Sequence, residues 1–146
     1  QHARYTEKQL RDFKSESRKN AIMAPMVAAL SDEDISNIAA YYASLEGTTG
    51  VSSFDHLETG KRLYRAGDAS TGLAACMACH GPSGSGNPAA LYPAISGQFA
   101  EYTAIQLKAF KSETRVNDVN NVMRNIASKM TNDEIDAIAD YIQGLH

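Results

Sequence analysis

The hydrophobic pattern of the chain is that of amphipathic helices. In the C-terminal segment, apolar positions three and four residues apart make one stripe: Ile135, Ile138, Ala139, Ile142 and Leu145. Thr131 and Glu134 precede this stripe with the spacing of a capping box, which marks a helix N-terminus. The first half repeats the design, with Ser31 and Asp34 before the stripe Ile35, Ile38, Ala39, Tyr42 and Leu45. Strand-like alternation is absent from the sequence, so the pattern predicts an all-α fold.

Two further helices and two long loops complete the predicted elements. The helices are expected at about 55–66 and 101–113. Residues 81–96 are rich in Gly, Pro and Ser, and residues 112–129 are rich in Asn and Asp, so both are predicted loops. Loops of this length in a small domain need something to wrap around.

The sequence contains an internal repeat. Residues 1–18 match residues 98–115 at a constant offset of 97. Residues 22–45 match residues 122–145 at an offset of 100, so the two copies differ by three residues in the loop between. Both copies contain the same helical pattern, which indicates two related domains in tandem.

The repeat predicts where the domains divide. Residues 1–46 are interpreted as the C-terminal half of a first domain, and residues 54–146 as a complete second domain. Residues 47–53 are small, polar or glycine, which interrupts the helical period and predicts a linker. The sequence therefore predicts a tandem repeat whose first domain is incomplete.

Length and charge restrict the function. The 146 residues carry 14 basic and 17 acidic side chains, a net charge of −3 without a basic stripe, which argues against nucleic acid as a partner. No apolar run approaches the roughly 20 residues of a transmembrane helix, so the sequence predicts a soluble chain. No secretion signal is visible in the sequence, so export has to be inferred from other features.

The cysteine motif carries the strongest chemical information. Cys76 and Cys79 are the only cysteines, and His80 follows them directly. Two thiols one helical turn apart can each form a thioether with a haem vinyl group, and the adjacent imidazole can bind the iron. A redox-active cysteine pair would leave His80 unexplained. A zinc site would need further ligands that the sequence does not cluster elsewhere.

A second axial ligand must come from far along the chain. Met123 lies in the Asn-rich loop, and Met23 occupies the equivalent position in the first copy. A thioether at Met123 would complete His/Met ligation, although many methionines only fill gaps in a core. Met26 competes with Met23, because an ungapped alignment from the N-terminal side pairs Met26 with Met123. We favour Met23, since that alignment pairs Ile22 with Val122.

These motifs resemble a known family across about residues 54–146. The segments 60–64 and 92–98, the C-x-x-C-H motif and the Met loop resemble class I cytochromes c. The tandem arrangement resembles the dihaem cytochrome c4 family. Such a protein has a second C-x-x-C-H motif, which the resemblance places before residue 1. The resemblance therefore implies a truncated N-terminal domain, with a second haem ligated by Met23 only if the missing segment is present.

The resemblance also implies roles for individual residues. Gly60 is expected to let the N-terminal helix of the second domain cross the C-terminal helix closely, with Tyr64, Ile138 and Tyr141 packed at the crossing. The carbonyl of Pro93 is expected to accept the Nδ1 proton of His80, which would fix the imidazole tautomer.

Three more residues are candidates for contacts with the haem propionates, although an ordinary helix surface would explain each of them as well: Gln98, Tyr102 and Arg115. The remaining histidines, His2, His56 and His146, have no cysteine motif and are interpreted as ordinary surface or core residues.

The resulting functional prediction is a one-electron carrier, not an enzyme. With His and Met filling both axial positions, the iron has no open site for a substrate. A redox partner is expected to dock at the haem edge near Cys76 and Cys79 through a small, transient interface. The resemblance implies a periplasmic protein between a quinol-oxidising complex and a terminal oxidase. The alternatives are a cytochrome subunit of a flavin-dependent sulfide dehydrogenase, a haem enzyme with an open iron, and a haem-free interaction module.

Residues 1–50 lack half of a domain core, and such a short piece is near the lower limit for independent folding. We expect it to be stable only with a separate N-terminal fragment bound, packed on the second domain, or packed on another copy of the chain.

Overall fold

The computed structural model describes residues 1–47, 50–53 and 55–146. Across these residues the ordered elements are short helices and a 3-10 turn at Val119–Asn121, and the only β pairings are isolated bridges. The helices, in chain order, are α1 (Ala3–Lys14), α2 (Met23–Ala28), α3 (Asp32–Ser44), α4 (Leu57–Ala66), α5 (Met77–His80), α6 (Ala100–Lys111), α7 (Val122–Ala127) and α8 (Asn132–Gln143). The all-α prediction is confirmed.

Residues 48 and 49 of the predicted linker, and residue 54 at the predicted start of the second domain, lie outside the described residues. Within the described ranges, no helix is both long and apolar enough to cross a membrane.

Local sequence signals explain where α3 and α8 begin. Ser31 and Thr131 are the N-caps of α3 and α8, and each accepts a hydrogen bond from the third helical residue. The carboxylates of Asp34 and Glu134 accept in turn from the backbone amides of Ser31 and Thr131, so both predicted capping boxes are present.

The main core lies in the second half, where α4 and α6 pack against α8. Leu63, Tyr64 and Ile135 are fully buried there, and the Tyr64 and Tyr141 rings are 5.4 Å apart. A Cβ at Gly60 would lie 2.3 Å from the carbonyl oxygen of Ala137, so only glycine permits this helix crossing. The predicted crossing of α4 over α8 is confirmed.

The first half has a smaller core, in which α1 packs against α2 and α3. Here the C-terminal part of α3 is bare: Tyr41 is 62% exposed, whereas its repeat equivalent Tyr141 is 8% exposed beneath α4. Leu45 is 46% exposed against 7% for Leu145. Tyr41 is exposed because the described residues of the first half contain no equivalent of α4. Leu145 lies instead against the loop at Gly84 and Ser96, which also has no equivalent among the described residues of the first half.

One element was predicted wrongly. Residues 112–129 were expected to form a loop throughout, but Val122–Ala127 is a helix. Its six residues are too few to give a clear helical period. The helix is instead held by tertiary contacts, because Ala127 is fully buried and Met123 and Ile126 pack on the main core.

Candidate functional site

The cysteine motif forms the short helix α5 and the residue before it. The backbone amide of His80 donates to the carbonyl oxygen of Cys76 at 3.0 Å, so one helical turn brings Cys76, Cys79 and His80 together. All three line one cavity of about 450 Å³. Burial raises the pKa of the Cys76 thiol to about 11, so the thiol stays protonated at neutral pH. This is the opposite of the lowered thiol pKa of redox-active cysteine pairs.

His80 is held in one orientation by the loop that follows it. Its Nδ1 lies 2.9 Å from the carbonyl oxygen of Pro93, the partner implied by the family resemblance. Burial lowers the pKa of His80, although the bond to Pro93 acts in the opposite direction. A neutral imidazole that donates from Nδ1 keeps the Nε2 lone pair for a metal.

Two contacts hold this loop in place. Gly86 has a φ of 76°, and a Cβ there would lie 2.6 Å from Pro93, so glycine lets the two loop segments approach each other. The Tyr64 hydroxyl donates to the carbonyl oxygen of Gly81 at 2.6 Å, just past the end of α5. Burial raises the pKa of Tyr64, which keeps that hydroxyl protonated as a donor.

The same cavity contains most of the predicted site residues. Met123 lines it together with Pro93, Gln98, Tyr102 and Arg115. The rest of the wall is largely apolar side chains of the main core, including Leu107, Met130, Ile138 and Ile142. A largely apolar cavity with two cysteines, an oriented imidazole and a thioether in its wall fits a covalently attached haem.

Met23 is not in this cavity. It is half-buried against the small core of the first half, whereas its competitor Met26 is 65% exposed. The histidines without a motif lie elsewhere as well: His2 contacts the carbonyl oxygen of Ser85 at 2.7 Å, and His56 and His146 are exposed.

Sequence reasoning missed the contribution of the first half to the cavity wall. Tyr5, Gln9 and Arg18 line the same cavity as the cysteine motif. The repeat contained the signal, because these three residues match Tyr102, Gln106 and Arg115 at the offset of 97.

The matched residues form a reciprocal network between the two halves. Arg18 donates to Gln9 of its own half and to Tyr102 and Gln106 of the other half, at 2.8–2.9 Å. Arg115 donates to Gln106 at 2.7 Å and, across the interface, to Tyr5 and Gln9 at 3.1 Å. The N-terminal segment up to Arg18 thus contacts the second half through these side chains.

The two guanidiniums are buried, with Arg18 8% and Arg115 9% exposed. Each lies over an aromatic ring of its own half, with Arg18 4.6 Å from the Phe13 centroid and Arg115 4.4 Å from the Phe110 centroid. Burial lowers the pKa of Arg115, and the positive charge of Arg18 lowers it further. Their described acceptors are amide and hydroxyl oxygens, so an anion in the cavity would be stabilised here.

The fold and the site together define a class I c-type cytochrome. The sequence model of the cytochrome c family matches residues 57–146. Cytochrome c4 of Azotobacter vinelandii is 42% identical over 156 residues, covering 100% of this chain and 74% of that protein. The chain belongs to the cytochrome c4 family.

Structural comparison agrees with this assignment. The crystal structure of reduced recombinant cytochrome c4 from Pseudomonas stutzeri is similar with a TM-score of 0.97 and 41% identity, covering 99% of this chain and 82% of that chain. A thiosulfate dehydrogenase electron acceptor from Stutzerimonas stutzeri is 40% identical, covering 95% of this chain and 65% of that protein. The predicted family and the covalent haem c at the C-x-x-C-H site are confirmed, and the protein is an electron-carrying cytochrome.

Proposed function

We propose that this protein is a periplasmic one-electron carrier whose haem iron is ligated by His80 and Met123. The observation that carries the proposal is that both side chains line the cavity that also contains Cys76 and Cys79. The haem, when bound, supplies a metal that accepts and releases one electron. With both axial positions filled, the site exchanges electrons without binding substrate at the metal.

Different residues of the chain would attach, orient and solvate the cofactor. Cys76 and Cys79 attach it, and Pro93 keeps His80 in the tautomer that leaves Nε2 free. Gln98, Tyr102 and Arg115 also line the cavity and would provide polar groups for the haem propionates. The apolar wall excludes water, which limits reorganisation around the metal when its charge changes.

Within this proposal, the protein passes electrons from a quinol-oxidising complex to a terminal oxidase. A thiosulfate dehydrogenase is a second candidate electron donor. It is supported by one relative, the thiosulfate dehydrogenase electron acceptor that is 40% identical to this chain. The alternative stated in the sequence analysis, a cytochrome subunit of a flavin-dependent sulfide dehydrogenase, would likewise take its electrons from the oxidation of a sulfur compound. Rapid-mixing measurements with each enzyme would separate the two donors by their rates of haem reduction.

We also propose that residues 1–46 are part of a first cytochrome domain, separated by residues 47–53 from a second domain at 54–146. The bare face of α3, where Tyr41, Tyr42 and Leu45 are exposed, fits a helix like α4. Met23 would ligate a second haem in the completed domain. The intact mass of protein purified from its source measures the number of haems, and a mass with one haem only would contradict this proposal.

Axial ligation is tested by spectroscopy on the haem-loaded protein. We expect the wild type to be low-spin in both oxidation states, to show the weak near-red band of ferric Met-ligated haem, and not to bind carbon monoxide. Met123→Ala should abolish the band and open the iron to carbon monoxide. Met130→Leu is the matched control, because Leu30 occupies that position in the repeat and the band should persist. Carbon monoxide binding by the wild type would refute His/Met ligation.

A further inference from the structure

The segment before Met123 has an unusual backbone. Asn120 and Asn121 both have left-handed backbone angles, with φ of 55° and 59°. Asparagine adopts this region more readily than most residues, but two in succession persist only where surrounding contacts determine them. The helix that follows, α7, has six residues and cannot hold its own position.

An ion pair between Asp118 and Arg124 links the loop before Asn120 to the first turn of α7. The carboxylate of Asp118 accepts from the backbone amide of Arg124 at 3.0 Å and from its side-chain Nε at 2.8 Å. Arg124 also donates to the side-chain oxygen of Asn121 and, at 3.4 Å, to the carbonyl oxygen of Val116. The Asp118 side chain is 4% exposed and that of Arg124 is 20% exposed, so water screens the pair weakly. The first turn of α7, which contains Met123, is thereby fixed to the preceding loop.

The first half lacks this device. At the repeat offset of 100, Ala24 takes the place of Arg124, and the three extra residues of the second loop lie within residues 116–121. Met23 is instead preceded by Asn20, whose side-chain oxygen accepts from the amides of Ile22 and Met23, both at 2.9 Å. The uncharged Asn20 side chain therefore occupies the place beside Met23 that the buried ion pair occupies beside Met123.

We propose that Asp118 and Arg124 are positioning residues that hold the Met123 thioether at the haem iron. The inference rests on the proposed ligation by Met123. Asp118 itself lines the haem cavity, and Arg124 is the residue next to the ligand. Without the ion pair between Asp118 and Arg124, the first turn of α7 samples other positions, which lowers the fraction of molecules with Met123 in ligating geometry. An external ligand then competes with the thioether more successfully.

The test uses the haem-loaded full chain with Asp118→Asn, Arg124→Gln and Arg124→Lys. We expect Asp118→Asn and Arg124→Gln to weaken the near-red band of the ferric protein and to raise its cyanide affinity by roughly tenfold. Arg124→Lys keeps the charge and should restore most of the band. If Arg124→Gln does not accumulate as holoprotein, the band and the cyanide affinity are compared between Asp118→Asn and Arg124→Lys.

The matched control removes a different ion pair. Lys108 and Asp136 are 2.7 Å apart on the surface between α6 and α8, and Lys108→Gln should leave the band and the cyanide affinity unchanged. Unchanged band and cyanide affinity in both Asp118→Asn and Arg124→Gln would overturn the proposal. A wild type without the band would instead refute Met123 ligation itself, so the two failures are distinguishable.

Discussion

Gly60→Ala tests the crossing of α4 over α8, on which the second half is built. A Cβ at this position would lie 2.3 Å from the carbonyl oxygen of Ala137 and 2.7 Å from Cβ of Tyr141. Both atoms belong to α8, and that carbonyl is bound within the helix, so neither can rotate away. The added methyl group can be accommodated only if α4 moves outward by about 1 Å, as overpacked cores do.

Two opposing effects determine how much Gly60→Ala changes the free energy of unfolding. Alanine favours a helix over glycine by about 1 kcal/mol. Overpacking typically costs about 1–3 kcal/mol, and we expect the upper end because the outward shift loosens Leu63 and Tyr64, both fully buried. The net expectation is a loss of about 2 kcal/mol in the free energy of unfolding.

The assay is urea unfolding of the haem-loaded protein followed by circular dichroism, with Gly47→Ala as the control. Gly47 has no atom within 4 Å of the added Cβ, so that variant should stay within about 0.5 kcal/mol of wild type. A Gly60→Ala protein stabilised by about 1 kcal/mol would show helix propensity alone, and the tight crossing would be refuted.

Two further predictions concern the network between the halves and the cap of α3. Arg18→Gln and Arg115→Gln should be non-additive by about 0.5–3 kcal/mol in a double-mutant cycle of thermal unfolding, because both guanidiniums share acceptors across the interface; additive effects would contradict a shared network. Hydrogen bonds from Ser31 hold the pKa of Asp34 below its usual value, so the cap's stability is present above pH 3.8 and lost as the pH falls. Ser31→Ala should flatten this acid dependence in unfolding curves recorded between pH 2 and 7, and an unchanged slope would exclude the cap as its source.

Features that depend on neighbouring residues were predictable from the sequence. The capping boxes at Ser31 and Thr131 involve groups within one helical turn, so their spacing alone indicates both helix starts. The same holds for Cys76, Cys79 and His80, whose spacing along a turn determines what they can bind together. The repeat added the relation between the halves, because matched residues in a tandem chain occupy equivalent positions.

Features that depend on distant residues were decided by the tertiary structure. Arg115 contacts Tyr5 across 110 positions of the sequence, and no local pattern states that the two copies face each other. The helix at Val122–Ala127 exists because Asp118 and the buried core hold six residues that are too few to form a helix alone. The bare face of α3 follows the same rule: its apolar stripe resembles that of α8, but burial depends on the helix that packs against it. The sequence therefore determined the chemistry of the cysteine motif and the longer amphipathic helices. Packing between distant segments determined the short helix α7 and which side chains share one cavity, because such contacts form only when the whole chain folds.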